Sequence, residues 1–205
     1  MDTLAAMETC IAMRYLKPDP LPRDLVQQLI HAATRASSPG NSQGWSFIAI
    51  DDADAKRTIG DAVQAAMAPM FASRPQGLPG PEERMYLGAA HLAQHFAEVP
   101  VWILGCAERV YPPHAPQDVF MYSTIYPAAQ NLIVAARALG VGTAFTTFHM
   151  TAEPTIRAVT GLPDGVYPCV MIAAGWPARG FSRVRRKPIE EVLHWNQWGS
   201  TAARA

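Results

Sequence analysis

The chain has 205 residues, 49% apolar and 17% charged. It is long enough to bury one core as a single domain, 1–205, and too apolar for disorder. Lys plus Arg equals Asp plus Glu at 17 each, which argues against a nucleic-acid or anionic-membrane partner. Cys10, Cys106 and Cys169 are odd in number and form no CxxC. Reduced thiols and a cytoplasmic setting are therefore expected, and the N-terminus lacks a signal-peptide layout.

In chain order, Leu4, Ala5, Met7, Ile11 and Met13 suggest a helix over 2–14, ended by the three prolines of KPDPLP. Leu25, Val26, Leu29, Ile30 and Ala33 make the apolar stripe of a second helix over 23–36, opened by Pro22. The loop SSPGNSQGW follows. Residues 45–52 alternate as a strand, and 53–72 form a helix. The four prolines from Pro69 to Glu83 predict a loop, and a helix spans 84–97. VPVWILGCA reads as a buried strand, 108–118 as a second Pro-rich loop, and 117–139 as a long helix stopped by Gly140. VGTAFTTF is a strand, TAEPTIRAVTG a short helix capped by Thr151, and YPCVMIAAGWP another buried strand. The result is an α+β or α/β domain with about four core strands.

Several clusters carry chemistry. Ser38, Asn41 and Gln43 crowd one tight loop. Such side chains commonly satisfy their own turn, but next to glycines they can also grip a planar heterocycle. RVRRK, with Arg183, Arg185 and Arg186, is either a solvated basic run or a phosphate clamp, since a guanidinium fork matches phosphate oxygens. Arg14 stands alone at the end of the first apolar segment. His91 and His95, spaced i, i+4, could chelate a metal, but no third ligand sits at a diagnostic spacing, which favours a packed helix face. Cys10 reads as a small core residue. P-loop and GxGxxG motifs are absent from the sequence.

Four stretches in order resemble the nitroreductase family of FMN-dependent oxidoreductases. They are AMRYLKPDPLPRDLVQQLIHAA, SSPGNSQGWSFIAI, YPAAQNLIVAARALGVGT and RRKPIEEVLHW, within residues 7–195. The resemblance implies an α+β fold with a central mixed or antiparallel sheet of four to five strands flanked by helices. It also implies a homodimer whose C-terminal segments are exchanged, with an FMN at each of two interface sites. Arg14 and Arg186 fall on positions that grip the FMN phosphate. Ser38, Asn41 and Gln43 fall on the loop that reaches the flavin and ribityl chain. Thr146 and Thr147 stand where some members place a Glu-Gly near flavin N5. Cys10-Ile11-Ala12 replaces the usual Arg-Arg-Ser, and Arg183 and Arg185 are candidates to compensate. Gly44 stands where the family has Pro before the Trp.

The implied activity is ping-pong hydride transfer from NAD(P)H through flavin N5 to a small planar acceptor such as a nitroaromatic, quinone or enone. Phe71, Tyr86, Tyr111 and Phe120, in or beside the two Pro-rich loops, are candidates to line the acceptor pocket. Two alternatives keep the fold: a flavin-processing or dehalogenase-like relative, and a non-catalytic dimeric module.

Overall fold

Four strands form one sheet in the order β1-β2-β4-β3: β1 (Trp45–Ile50), β2 (Val101–Glu108), β3 (Gly142–Thr146) and β4 (Val166–Gly175). Every neighbouring pair is antiparallel. The computed structural model describes residues 1–73 and 76–201. The two central strands are buried on both faces, and their residues alternate between two cores. Val101 and Ile103 of β2 meet Val170, Ile172 and Ala174 of β4 on one side. Trp102, Leu104 and Cys106 meet Met171 and Ala173 on the other. Pro168 is tolerated in β4 because the register shifts between Gly105 and Cys106, leaving Cys169 as the extra residue of a bulge.

Helices cover both faces. α2 (Arg23–Ala33) and α5 (Asp118–Ala138) bury Val26, Leu29, Ile125 and Leu132 in the first core. α3 (Ala53–Ala72), α4 (Gly80–Gln94), α6 (Phe148–Thr151) and α7 (Glu153–Thr160) contribute Ile59, Leu92, Phe148 and Ile156 to the second. α5 ends as expected at Gly140 (φ 79°), where Val141 N–H donates to Ala136 O and Gly140 N–H to Arg137 O.

Several boundaries differ from the sequence reading. The first helix, α1 (Thr3–Thr9), is capped by Asp2 and stops seven residues after its start. The 2–14 helix is thus too long: residues 10–17 are extended because the sheet edge offers them partners. Met13 N–H donates to Thr143 O at 2.7 Å, Lys17 N–H to Trp176 O at 2.8 Å, and Met13 is buried. Arg14 therefore sits on an extended strap, not a helix end. Pro69 does not open a loop but lies inside α3, and α4 already begins at Gly80. Arg74 and Pro75 of that expected loop lie outside the described residues. The third predicted strand ends at Thr146, and α6 takes over. Thr151 closes α6 by donating to Phe148 O; Ala152 occupies the start of α7.

The chain after β4 turns back along the strap. Ala178 N–H donates to Tyr15 O, and Val184 N–H to Glu8 O. Arg137 of α5 binds this junction from the other side, donating to Thr9 Oγ1 at 2.8 Å and stacking over Phe181 at 4.0 Å. Beyond it, Ile189, Val192, Trp195 and Trp198 are exposed, Trp198 at 92%. No described helix is long and apolar enough to cross a membrane.

Two consequences are measurable. A Cβ on Gly142 would lie 2.7 Å from Met13 Cγ and 3.0 Å from Met13 Cβ. Gly142→Ala should cost about 1–3 kcal/mol in chemical denaturation by prising the strap from β3; an unchanged midpoint contradicts the strap's packing. His149 is buried with its Nδ1 unpartnered among the described residues, and burial pushes its pKa below 6.5, against a smaller opposing pull from Glu153. The unfolded chain then binds the proton more tightly, so stability is full above pH 6.5 and falls as pH drops below it. One such group contributes at most about 1.4 kcal/mol per pH unit. His149→Leu should flatten the decline in unfolding free energy between neutral and mildly acidic pH; parallel pH profiles for both proteins would refute this.

Candidate functional site

Three cavities share one residue, Arg14. The strap fixes its backbone beside β3, and its side chain crosses α4 at Gly88, where a Cβ would sit 2.9 Å from Arg14 Cδ. Glycine at that helix position is what allows the crossing. Burial lowers the Arg14 pKa, yet a guanidinium stays charged, so this is a desolvated cation with strengthened electrostatic reach.

One end is basic. A cavity of about 530 Å³ is lined by Arg14, Arg84, Arg183, Arg185 and Arg186, with Cys10-Ile11-Ala12 as its floor. Arg183 is drawn toward Glu8 at 3.6 Å, and Arg186 donates to Arg185 O at 2.8 Å. A middle cavity of about 370 Å³ adds Tyr15, Gly88, Arg179 and Ser182. Arg179 is held there by its stack over Tyr15, 3.7 Å from the ring centroid. Tyr15 in turn stacks on His91 at 4.3 Å, and His91 lies against His95 at 4.2 Å. The i, i+4 histidines thus form part of a ring column, and no group of three metal-ligating side chains occurs among the described residues.

The other end is apolar. Met67, Met70, Phe71, Met85, Tyr86, Leu92 and Phe145 enclose about 340 Å³, with Arg14, Thr146 and Thr147 on its polar side. Tyr86 stands edge-on to Phe71 and donates its hydroxyl to Met70 O at 2.7 Å. Thr146 donates to Met171 O at 2.7 Å, whereas the exposed Thr147 hydroxyl has no hydrogen-bond partner among the described residues.

Ser38, Asn41 and Gln43 lie elsewhere. Their loop precedes β1, at the far edge of the sheet from β3, roughly 14 Å away at three strand spacings. The three Arg14-lined cavities do not include them. The local-turn reading holds for Ser38, whose Oγ accepts from Gln43 N–H at 3.0 Å. It does not hold for Asn41 and Gln43, whose exposed side chains have no partner among the described residues. Both also have left-handed backbone, φ 50° and 49°, beside Gly40 at 59°. Glycine adopts this conformation freely and asparagine tolerates it, so the strain falls mainly on Gln43; strain of this kind clusters at ligand-binding loops. Tyr111 buttresses this loop: a Cβ on Gly40 would meet its ring at 2.3 Å. Phe120 packs edge-on to Tyr111 at 5.2 Å. These two aromatics accompany the loop, while Phe71 and Tyr86 line the apolar cavity.

Sequence reasoning missed Arg84, Arg179, Gly88 and the methionines. The available signal was the spacing of Arg84, Gly88 and His91, which puts them on one helix face.

The chain is 22% identical over 187 residues to iodotyrosine deiodinase 1 of Rattus norvegicus, covering 89% of this chain and 65% of that protein. It thus spans just under two thirds of that relative's length. It is 26% identical over 198 residues to an NADPH-dependent oxidoreductase of Staphylococcus aureus, covering 91% and 70%. An iodotyrosine deiodinase crystal structure bound to FMN and 3-iodo-L-tyrosine superposes with a TM-score of 0.77 at 16% identity, over 96% of this chain and all of that one. That likeness speaks to the fold. A model of the nitroreductase family matches residues 9–176, and the chain belongs to the nitroreductase family.

Proposed function

We propose that the protein is an FMN-dependent oxidoreductase that takes hydride from NAD(P)H and passes it to a small, neutral, planar acceptor. The observation that carries this reading is the polarity gradient along three cavities joined at Arg14. Phosphate needs guanidinium forks, ribityl hydroxyls need polar partners, and an isoalloxazine ring needs a flat apolar wall. The channel offers these in that order, from Arg185 and Arg186 through Arg14 and Ser182 to Phe145 and the methionines. FMN, when bound, supplies the hydride chemistry at its N5. The protein's own part is positional. Arg14 and Arg186 hold the anionic end, and Arg183 and Arg185 add field. The backbone and hydroxyls at Thr146 and Thr147 offer donors to the ring edge, and Phe71 and Tyr86 exclude water from the reacting face.

The acceptor cavity contains no carboxylate among the described residues, and its one cation, Arg14, is shared with both basic cavities. Without an anion to meet an α-ammonium group, the cavity favours quinones, enones or nitroaromatics over amino-acid zwitterions. The similarity to iodotyrosine deiodinase favours reductive dehalogenation as a second reading.

The loop carrying Ser38, Asn41 and Gln43 completes the site from a second copy of the chain in a homodimer. Support comes from what one chain leaves uncovered. Tyr122, Tyr126 and Phe145 form an exposed ring chain, with centroids 5.5 and 5.9 Å apart, and Met150 on α6 is 72% exposed. Adding the exposed tail from Ile189 to Trp198 gives the apolar surface an obligate dimer would bury, by exchange of that segment.

Purified protein supplied with FMN should retain the flavin's visible absorption band, which NADPH or NADH bleaches anaerobically and a quinone restores. 3-Iodotyrosine should restore it far more slowly; the reverse preference establishes the dehalogenase reading. Arg186→Ala should weaken FMN binding by about 1.5–3 kcal/mol, the cost of losing a charge-assisted bond. Protein that never acquires the band refutes the proposal.

A further inference from the structure

One helix separates the basic and apolar ends of the channel. Arg84 and Gly88 of α4 line the basic side, while Met85, Tyr86 and Ala89 line the apolar cavity. Adjacent residues on a helix point about 100° apart, so one rigid element presents a face to each compartment.

Arg84 is chemically idle within this chain. It lines both basic cavities and has neither an ion pair nor a hydrogen bond with the described residues. Its Nη1 lies 3.2 Å from where a Cβ on Gly80 would be, so the guanidinium lies back over the first turn of its own helix. The floor opposite, Cys10-Ile11-Ala12, provides no cation and no hydroxyl. A phosphate dianion has more acceptor capacity than Arg14 and Arg186 can satisfy with two forks.

The two halves of α4 are held differently. Leu92 and Ala93 are buried in the second core, at 2% and 1% exposure, whereas Met85 and Leu87 are 51% and 46% exposed. Within the N-terminal half, Tyr86 is tied by its hydroxyl to Met70 O and by its edge contact with Phe71. An element with few buried contacts is the one a ligand can order.

We infer that Arg84 is a further ligand of the cofactor's phosphate, and that its engagement fixes the N-terminal half of α4 and with it the Met85–Tyr86 wall of the acceptor cavity. Cofactor phosphate binding is thereby coupled to formation of the acceptor pocket. The inference rests on the FMN reading above. It makes the phosphate, not the ring, the group that orders the pocket.

FMN and riboflavin differ only in that phosphate, so they are the probes. Their affinities are measured by flavin fluorescence for the wild type, Arg84→Met, Arg84→Lys and Arg186→Ala. Amide hydrogen exchange over residues 80–90 is followed with each flavin. Arg84→Met keeps the apolar stem and should weaken FMN roughly tenfold or more while leaving riboflavin affinity unchanged. Arg84→Lys should recover part of the loss. FMN, but not riboflavin, should slow exchange over 80–90 in the wild type, and FMN should fail to do so in Arg84→Met. The inference is overturned if Arg84→Met binds FMN normally while Arg186→Ala does not. Equal losses for both flavins, or equal slowing of exchange by both, also overturn it. If neither variant changes FMN affinity, the placement of the phosphate itself falls, and this inference with it.

Discussion

The site depends on a strap of eight residues that never becomes helix. Residues 10–17 are held between the β3 edge and the chain leaving β4, through Met13 N–H to Thr143 O on one side and Lys17 N–H to Trp176 O on the other. Ala178 and Val184 then bond back to Tyr15 and Glu8. These backbone bonds bring an N-terminal arginine next to four arginines, Arg179 to Arg186, from near the other end of the described chain. Their mutual repulsion is tolerable because Glu8 draws off Arg183 and Tyr15 gives Arg179 an aromatic face. The arginines left facing the cavity are those with least to satisfy them internally.

Much of this was legible in the sequence, for identifiable reasons. The strands were readable because central antiparallel strands buried on both faces are continuous apolar runs, as in VWILGCA and VMIAAG. α5 was readable from its length and its glycine stop. The strap was not, because Ile11 and Met13 fit a helical stripe as well as an extended one, and only the sheet edge decides between them. Pro69 misled because a proline is tolerated inside a helix when its neighbours pack; Met67, two residues before it, is buried in the core. The arginines were visible as charges, but Arg84 was one unremarkable cation on a surface helix until the fold placed Gly88 against Arg14.

The opening loop shows a different limit. Its residue types indicated a hydrogen-bonding ligand, and the left-handed backbone at Asn41 and Gln43 supports that. Its partner in space could not be read, because the loop and the arginine channel occupy opposite edges of one sheet. The proposed homodimer reconciles them: a second chain would carry the amides to the arginines, and the exposed Tyr122, Tyr126 and Trp198 would become interior. On this account the homodimer completes the cofactor site as well as burying surface.

Mixed dimers test that account most directly. One copy carries Arg14→Ala and Arg186→Ala, the other Asn41→Ala and Gln43→Ala, and doubly tagged dimers are purified and assayed for bound FMN. If each site draws its arginines from one copy and its loop from the other, the mixed dimer contains one site with every residue intact and retains a single flavin, while neither parent homodimer does. If each chain holds its cofactor alone, both sites are damaged, and the mixed dimer is as empty as its parents.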